Sequence, residues 1–450
     1  MEHVQMVTSL QQDYAKKRAI TITIFLLGIF MGALDHGIVG PALSSIIQFY
    51  NIEASWGVWS FTIYTLFFAV SIPLMGKFSD RIGRKHIYAI GITLFSIGSL
   101  LAALAPNFIL FLIGRAVQAI GTGGIFPITA AQIAATYPPE KRGKALGYIG
   151  VVFGIGSILG PIVGGFILKY LTWQWIFLIN IPVSVAILFL LLGVKQSQEL
   201  TKKPIDYRGI VLLTLTILTV MLSITLKSPV LIMIGLLWCY LLVKAEKKAK
   251  DPVVNIRYFT KRNTLSLLLL SLTSGFIMAS TINLLPLFGE TVLGLSKAES
   301  GIGVTPLAIS SMIASLIGGL LVDKIGANKV LLGGFSFTLL GAVALALFVN
   351  YISAFVVTIT VMGFGIGIII GAPLNVMMMK NVSVQETGSA IGFLSLLRSL
   401  GSTLGPTMAG IMLTVFPDKF TYIYLISAAL SILSVMVVFS FTTTRKQTQR

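Results

Sequence analysis

Gly156-Ser-Ile-Leu-Gly160-Pro161-Ile-Val-Gly164-Gly165 recurs 245 residues later as Gly401-Ser-Thr-Leu-Gly405-Pro406-Thr-Met-Ala-Gly410. Two more blocks repeat nearby. Gly143-Lys-Ala-Leu-Gly147 returns as Gly388-Ser-Ala-Ile-Gly392 at the same offset, and Gly76-Lys-Phe-Ser-Asp80-Arg81-Ile-Gly83 as Gly319-Leu-Leu-Val-Asp323-Lys324-Ile-Gly326 at an offset of 243. Three matched blocks at nearly one spacing indicate a duplicated unit. Six membrane helices with short loops need about 190 residues at roughly twenty per span. The surplus of roughly 50 residues has room for two further helices between the copies.

Composition fits this reading. The 450 residues are 56% hydrophobic and 11% charged, and mean hydropathy is +0.93. A water-soluble domain could not hide so much apolar surface. Apolar runs of membrane-spanning length fall near 19–40, 57–76, 86–105, 108–130, 143–168, 174–194, 208–226, 229–243, 264–289, 300–322, 329–349, 352–379, 387–412 and 420–441. The expected fold is therefore an all-α membrane protein with fourteen transmembrane helices. Residues 1–195 form one six-helix bundle, 196–262 a linker carrying two extra helices, and 263–450 a second bundle. A pair of related halves suits a transporter whose substrate site lies between them.

The net charge of +18 is a topology signal. On that helix assignment, 27 of the 33 Lys and Arg residues fall on the side that carries both termini. The positive-inside rule then places both termini in the cytoplasm of a multi-pass plasma-membrane protein, in contact with the lipid bilayer. No single basic stripe exists, so no nucleic-acid partner is expected. The lone Cys239 excludes an intramolecular disulfide, and no cleavable leader is evident. The chain is expected to act as a monomer.

Five blocks resemble a known family. Gly76-Lys77-Phe78-Ser79-Asp80-Arg81-Ile82-Gly83-Arg84-Lys85 resembles the loop signature of the major facilitator superfamily. Arg115-Ala-Val-Gln118-Ala-Ile-Gly121-Thr-Gly123 is similar to its fourth-helix block, with Ala119 where glycine is usual. The antiporter block Gly156, Gly160, Pro161, Gly164 and Gly165 marks exporters in that superfamily. Leu34-Asp35-His36-Gly-Ile-Val-Gly-Pro-Ala-Leu43 and Trp173-Gln-Trp175-Ile-Phe-Leu-Ile-Asn180-Ile-Pro182 resemble signatures of the fourteen-helix drug:proton antiporters, the multidrug exporters of Gram-positive bacteria. The resemblance covers essentially the whole chain. His36, Gly37 and Gly40 depart from the pattern close to the acid, which bears on substrate range rather than fold.

Of the fifteen acids, only Asp35 lies deep in a span. At ~1.5 Å per residue it stands about 24 Å along the first helix. An ionised carboxylate there is costly, so Asp35 is expected to face a watery cavity. Desolvation favours its protonation and a cationic ligand its ionisation, which is the simplest antiport logic. The alternative is a structural acid held by a partner on another helix. Glu53 is a second coupling candidate, or else a helix N-terminal charge beside interfacial tryptophans; Glu290 reads as solvated. Arg115 and Arg398 are embedded cations that need a carboxylate, carbonyls or water. The resemblance assigns Arg115 to coupling.

Gly156, Gly160 and Gly164 form a small-residue face at intervals of four, expected to let the fifth helix approach a neighbour from the other half. Gly76, Asp80, Arg81, Gly83 and Arg84 are implied by the resemblance to form a cytoplasmic latch. Tyr64, Phe126, Phe153, Phe276, Met278, Asn283 and Phe364, with Asp35 and Arg398, are the candidate cavity lining, suited to flat hydrophobic cations.

The expected function is proton-coupled export of amphipathic or cationic drugs, dyes or fluoroquinolones, with export of one endogenous metabolite, lipid or siderophore as the alternative. The expected partners are protons and small hydrophobic or cationic substrates. No cofactor or metal is expected, and the proton gradient is the driving force. No phosphate-binding loop is present, and His3, His36 and His86 are too dispersed for an intramembrane enzyme.

Overall fold

The computed structural model describes residues 2–52, 54–57, 59–194, 206–226, 228–249, 252–295, 303–347, 351–383, 386–415 and 420–447, all helix or short connection. The long helices are α1 Glu2–Tyr50, α2 Trp59–Ile82, α3 Arg84–Leu104, α4 Phe108–Gly123 continued by Ile125–Thr136, and α5 Arg142–Tyr170. They continue with α6 Trp175–Leu178 plus Asn180–Leu192, α7 Tyr207–Thr225, α8 Pro229–Glu246, α9 Arg262–Val292 and α10 Thr305–Ile325. The last are α11 Ala327–Leu347, α12 Ile352–Ile370 plus Pro373–Met379, α13 Thr387–Val415 and α14 Phe420–Gln447. Among the described residues, thirteen spans are long and apolar enough to cross a membrane. The remaining helix, α13, has the length at 29 residues. Its glycines, serines, threonines and Arg398 dilute its apolar content, for the same reason that it packs closely.

Packing repeats between the halves. Helix α1 lies on α5, α2 and α3 on α4, and α3 on α6; eight helices later, α9 lies on α13, α10 and α11 on α12, and α11 on α14. Two six-helix bundles result. They meet through two equivalent contacts, α5 with α10 and α13 with α2. Helices α7 and α8 pack on each other, and α7 also rests on α2 and α13, outside the two bundles.

Glycines set the inter-bundle seam. A Cβ on Gly76 would stand 2.7 Å from Gly388 O, and one on Gly147 2.8 Å from Ser315 O. Gly143 and Gly319 face one another so closely that neither tolerates a side chain. These contacts lie in the halves of the helices nearest the basic side, so the bundles are pressed together there.

The same end carries two carboxylate clasps, related by the pseudo-twofold axis. Asp80 accepts hydrogen bonds from Gly388 N at 3.2 Å and from Ser389 N and Oγ at 2.9 Å each. Asp323 accepts from Gly143 N and Lys144 N, both at 2.7 Å. Each acid thus reaches across the seam to the first turn of a helix in the opposite bundle, where unpaired N–H groups and the helix dipole favour an anion. Gly83 and Gly326 follow the two acids with φ of 106° and 89°, a region that side-chain-bearing residues avoid. They turn the chain sharply enough to start α3 and α11. Arg84 is a buried charge neighbour of Asp80. Arg81 is half-buried at the end of α2.

Removing one clasp should loosen the seam. In a Cys239→Ser background, Ser315→Cys places a thiol in the buried α5–α10 contact. Adding Asp323→Asn should raise its labelling rate about tenfold or more, since bonds to a charged acceptor contribute about 1.5–3 kcal/mol. An unchanged rate would show that Asp323 does not hold the bundles together.

Candidate functional site

A charge inside an apolar bundle persists only when its hydrogen-bonding capacity is filled. Asp35 meets that condition completely. Its Oδ2 receives Arg115 Nη1 at 3.1 Å, and its Oδ1 receives Gln118 Nε2 at 2.8 Å and Asn180 Nδ2 at 3.0 Å. Ser99 Oγ accepts from the same two amides, at 2.9 and 3.3 Å. Arg115 also donates to Gln118 Oε1 and, through Nε, to Ser60 O at 3.3 Å.

Five helices build this network. Asp35 comes from α1, Ser60 from α2, Ser99 from α3, Arg115 and Gln118 one turn apart on α4, and Asn180 from the start of the main segment of α6. Every one of these residues is buried, with Asp35 fully excluded from solvent. The expectation that Asp35 faces a watery cavity is therefore corrected: it is sealed in the core of the first bundle. The reason is local. A partner cation and two amides on neighbouring helices solvate the carboxylate in place of water.

Aromatic rings close the site. The Arg115 guanidinium lies 4.3 Å from the centroid of Tyr64 and 5.5 Å from that of Phe177. Tyr64 is buried and shares a 2.7 Å hydrogen bond with Thr122, so it faces the bundle interior. The Trp173–Asn180 stretch has a physical role: Trp173 and Phe177 pack on Phe111, while Asn180 reaches Asp35.

The glycine face of α5 lies against the same segment of α1. A Cβ on Gly156 would meet Ala33 Cβ at 2.7 Å, on Gly160 Leu34 O at 2.8 Å, and on Gly164 Ile38 O at 2.9 Å. This corrects the expectation that these glycines contact the other half. Gly143, Gly147 and Gly154 do that, while Gly156, Gly160 and Gly164 bring α5 against the backbone on either side of Asp35. Pro161 is exposed beside Gly37, and Gly165 faces open space.

The second bundle repeats the seam without the charge. Gly401 approaches Leu272 O and Phe276 N as Gly156 approaches Phe30 O and Leu34 N, an offset of 242 residues. Ile277 then stands in the place of Asp35, and it is buried. Phe276 and Met278 beside it are half-buried. Phe126 and Phe153 are half-buried and meet edge to face at 5.5 Å. Phe364 instead packs on Phe337 of α11, whose ring is exposed, so it lies on the α11 side of α12. Arg398 is half-buried on α13, far from Asp35 in the chain and in the other bundle. His36, next to Asp35 on α1, is exposed. Glu53 and the side chains of Asn283 and Glu290 lie outside the described residues.

Ser99, Gln118 and Asn180 are absent from the candidate site residues read from sequence, although Gln118 and Asn180 lie in two of the resemblance blocks. Gln118 had a signal in its spacing of three from Arg115, and Asn180 as a lone amide in an apolar run. Ser99 had none.

Asp35→Asn leaves the Arg115 guanidinium buried without its counter-charge and should cost about 3–5 kcal/mol of stability, whereas Asp35→Asn with Arg115→Gln should recover most of it. Unfolding of Asp35→Asn, Arg115→Gln and the double variant in detergent measures this. Additive losses would contradict a direct pair.

The chain matches the model of the Major Facilitator Superfamily over residues 25–406 and again over 307–450. It is 38% identical over 427 residues to the uncharacterized MFS-type transporter YfiU of Bacillus subtilis, covering 90% of this chain and 81% of that protein. With Multidrug resistance protein 3 of the same organism it shares 31% identity over 408 residues, 88% of this chain and 79% of the other. Its fold superimposes on the proton:xylose symporter XylE with a TM-score of 0.73 at 16% identity, over 95% of this chain and 96% of that one. With a duplicated six-helix bundle, clasped seam and family match in agreement, the chain belongs to the major facilitator superfamily and is a membrane transporter of small molecules.

Proposed function

We propose that this transporter is a proton-coupled exporter of amphipathic drugs and dyes, with Asp35 as the proton-carrying group. One observation carries the reading: a single deep carboxylate whose ionised form is held by Arg115, Gln118 and Asn180 at the helix crossing flanked by the antiporter glycines. Protonating Asp35 would cancel the ion pair and free Arg115, weakening a network that joins five helices of the first bundle. The names of the more distant relatives support an efflux role, among them Multidrug resistance protein 3. The reading also takes α13 as a fourteenth crossing, the basic side as cytoplasmic and the membrane as the plasma membrane. Flat aromatic cargo would contact Phe126 and Phe153.

Arg115 neutralises Asp35 in this conformation, so a cationic substrate would have to compete with a guanidinium for the carboxylate. The proton and the drug therefore need not occupy the same place. Coupling then runs through which side of the transporter is closed.

Everted vesicles carrying the protein, energised with a pH gradient, test the assignment through dye movement. Wild type should move ethidium or a fluoroquinolone in response to the gradient, and Asp35→Asn should not, although the purified variant still binds the compound. Asp80→Asn should slow turnover and leave binding intact. Gradient-driven flux that survives Asp35→Asn would remove Asp35 from coupling, and no gradient-dependent flux of any compound in a broad panel would overturn the exporter reading.

A further inference from the structure

We propose that the space between the bundles binds the carboxylate of an aromatic anion or zwitterion, and that Arg398 is the group that holds it. The inference deepens the transport reading and rests on it for the location of the substrate path. Its basis is a balance of charges. Asp35 and Arg115 cancel within the first bundle. Asp80 and Asp323 are committed to helix N-termini at the basic end. Arg398 is left. Its Nε is buried without a hydrogen-bond partner, and among the described residues no carboxylate lies near enough to act on its charge.

Position sharpens the case. Arg398 lies eleven residues into α13, about 16 Å from the basic end at ~1.5 Å per residue, and so near mid-bilayer. Its side chain is only half-buried although its Nε is closed off from solvent. The 245-residue repeat makes Arg398 the counterpart of Phe153. Pseudo-twofold symmetry about an axis along the membrane normal therefore puts the two at the same depth on opposite sides of that axis. Phe153, with Phe126 edge to face against it at 5.5 Å, offers an aromatic surface at the equivalent chain position. The equivalent position thus holds a ring in one bundle and a cation in the other.

That asymmetry selects a ligand with two chemically different ends. A guanidinium presents a planar fork of donors that matches a carboxylate with two parallel bonds. An unpaired cation at this depth is costly, so an anionic group that neutralises it gains more than it would at the surface. The aromatic body of the same molecule is left to the phenylalanines. A compound bearing only positive charge gains nothing at Arg398.

Binding of a fluorescent fluoroquinolone to the purified full-length protein, without any pH gradient, tests this against its methyl ester. Wild type should bind the free acid about tenfold more tightly than the ester, the worth of one charge-assisted contact. Arg398→Gln should lose that preference while binding the ester as before, and Arg398→Lys should restore part of it. Equal weakening of acid and ester in Arg398→Gln would make Arg398 a packing residue and overturn the site. Should that variant fail to fold, an ester that binds wild type as tightly as the acid overturns it equally. Gradient-driven flux is a separate readout: its absence with the acid preference intact removes proton coupling and leaves the site, and its presence without that preference does the reverse.

Discussion

A carboxylate far inside a membrane protein has to be solvated by the protein itself. Much of the first bundle follows from that demand at Asp35. Arg115 supplies the charge, Gln118 and Asn180 the amide donors, Ser99 an anchor for both amides, and Tyr64 and Phe177 a cover over the guanidinium. The residues come from α1, α2, α3, α4 and α6, so the network also ties the bundle together. Helix α5 contributes no polar group. Its glycines bring its backbone against α1 on either side of the acid, which fixes the height and rotation of Asp35. The α5 glycines and the acid are in this sense one structure.

Duplication explains the scaffold, and its failures indicate function. The clasps repeat faithfully: Asp80 on the first turn of α13 and Asp323 on the first turn of α5. The glycine seams repeat as well. Charge does not. Ile277 occupies the position of Asp35, and Arg398 occupies that of Phe153. The symmetric elements hold the seam between the bundles, whereas the charged positions within the spans, Asp35 and Arg398, are not repeated. Both clasps lie at one end of the seam, so separating the bundles there would break both sets of carboxylate bonds together.

The helices were legible because hydrocarbon tolerates only long apolar helical runs, and each run carries that pattern on its own. The halves were legible because glycine spacing is kept wherever backbones touch. Asp35 and Arg115 stood out as charges in apolar stretches. Their mutual pairing did not, since residues 80 positions apart meet only through the crossing of α1 and α4. Gly156, Gly160 and Gly164 announced a close approach without naming the partner, and the expected neighbour was in the wrong bundle. Spacing records that a face is narrow; which helix lies against it depends on the tertiary arrangement. For the same reason Phe364 read as a cavity residue although it packs on Phe337 of α11.

The central proposal is that the Asp35–Arg115 pair governs which side of the transporter is closed. The most direct test is the distance between spin labels on the basic ends of α2 and α13, measured in lipid at one fixed pH for wild type and Asp35→Asn. Removing the charge on Asp35 dissolves the ion pair, so the variant is predicted to show the longer distance. An Asp35→Asn protein with the wild-type distance would contradict the account.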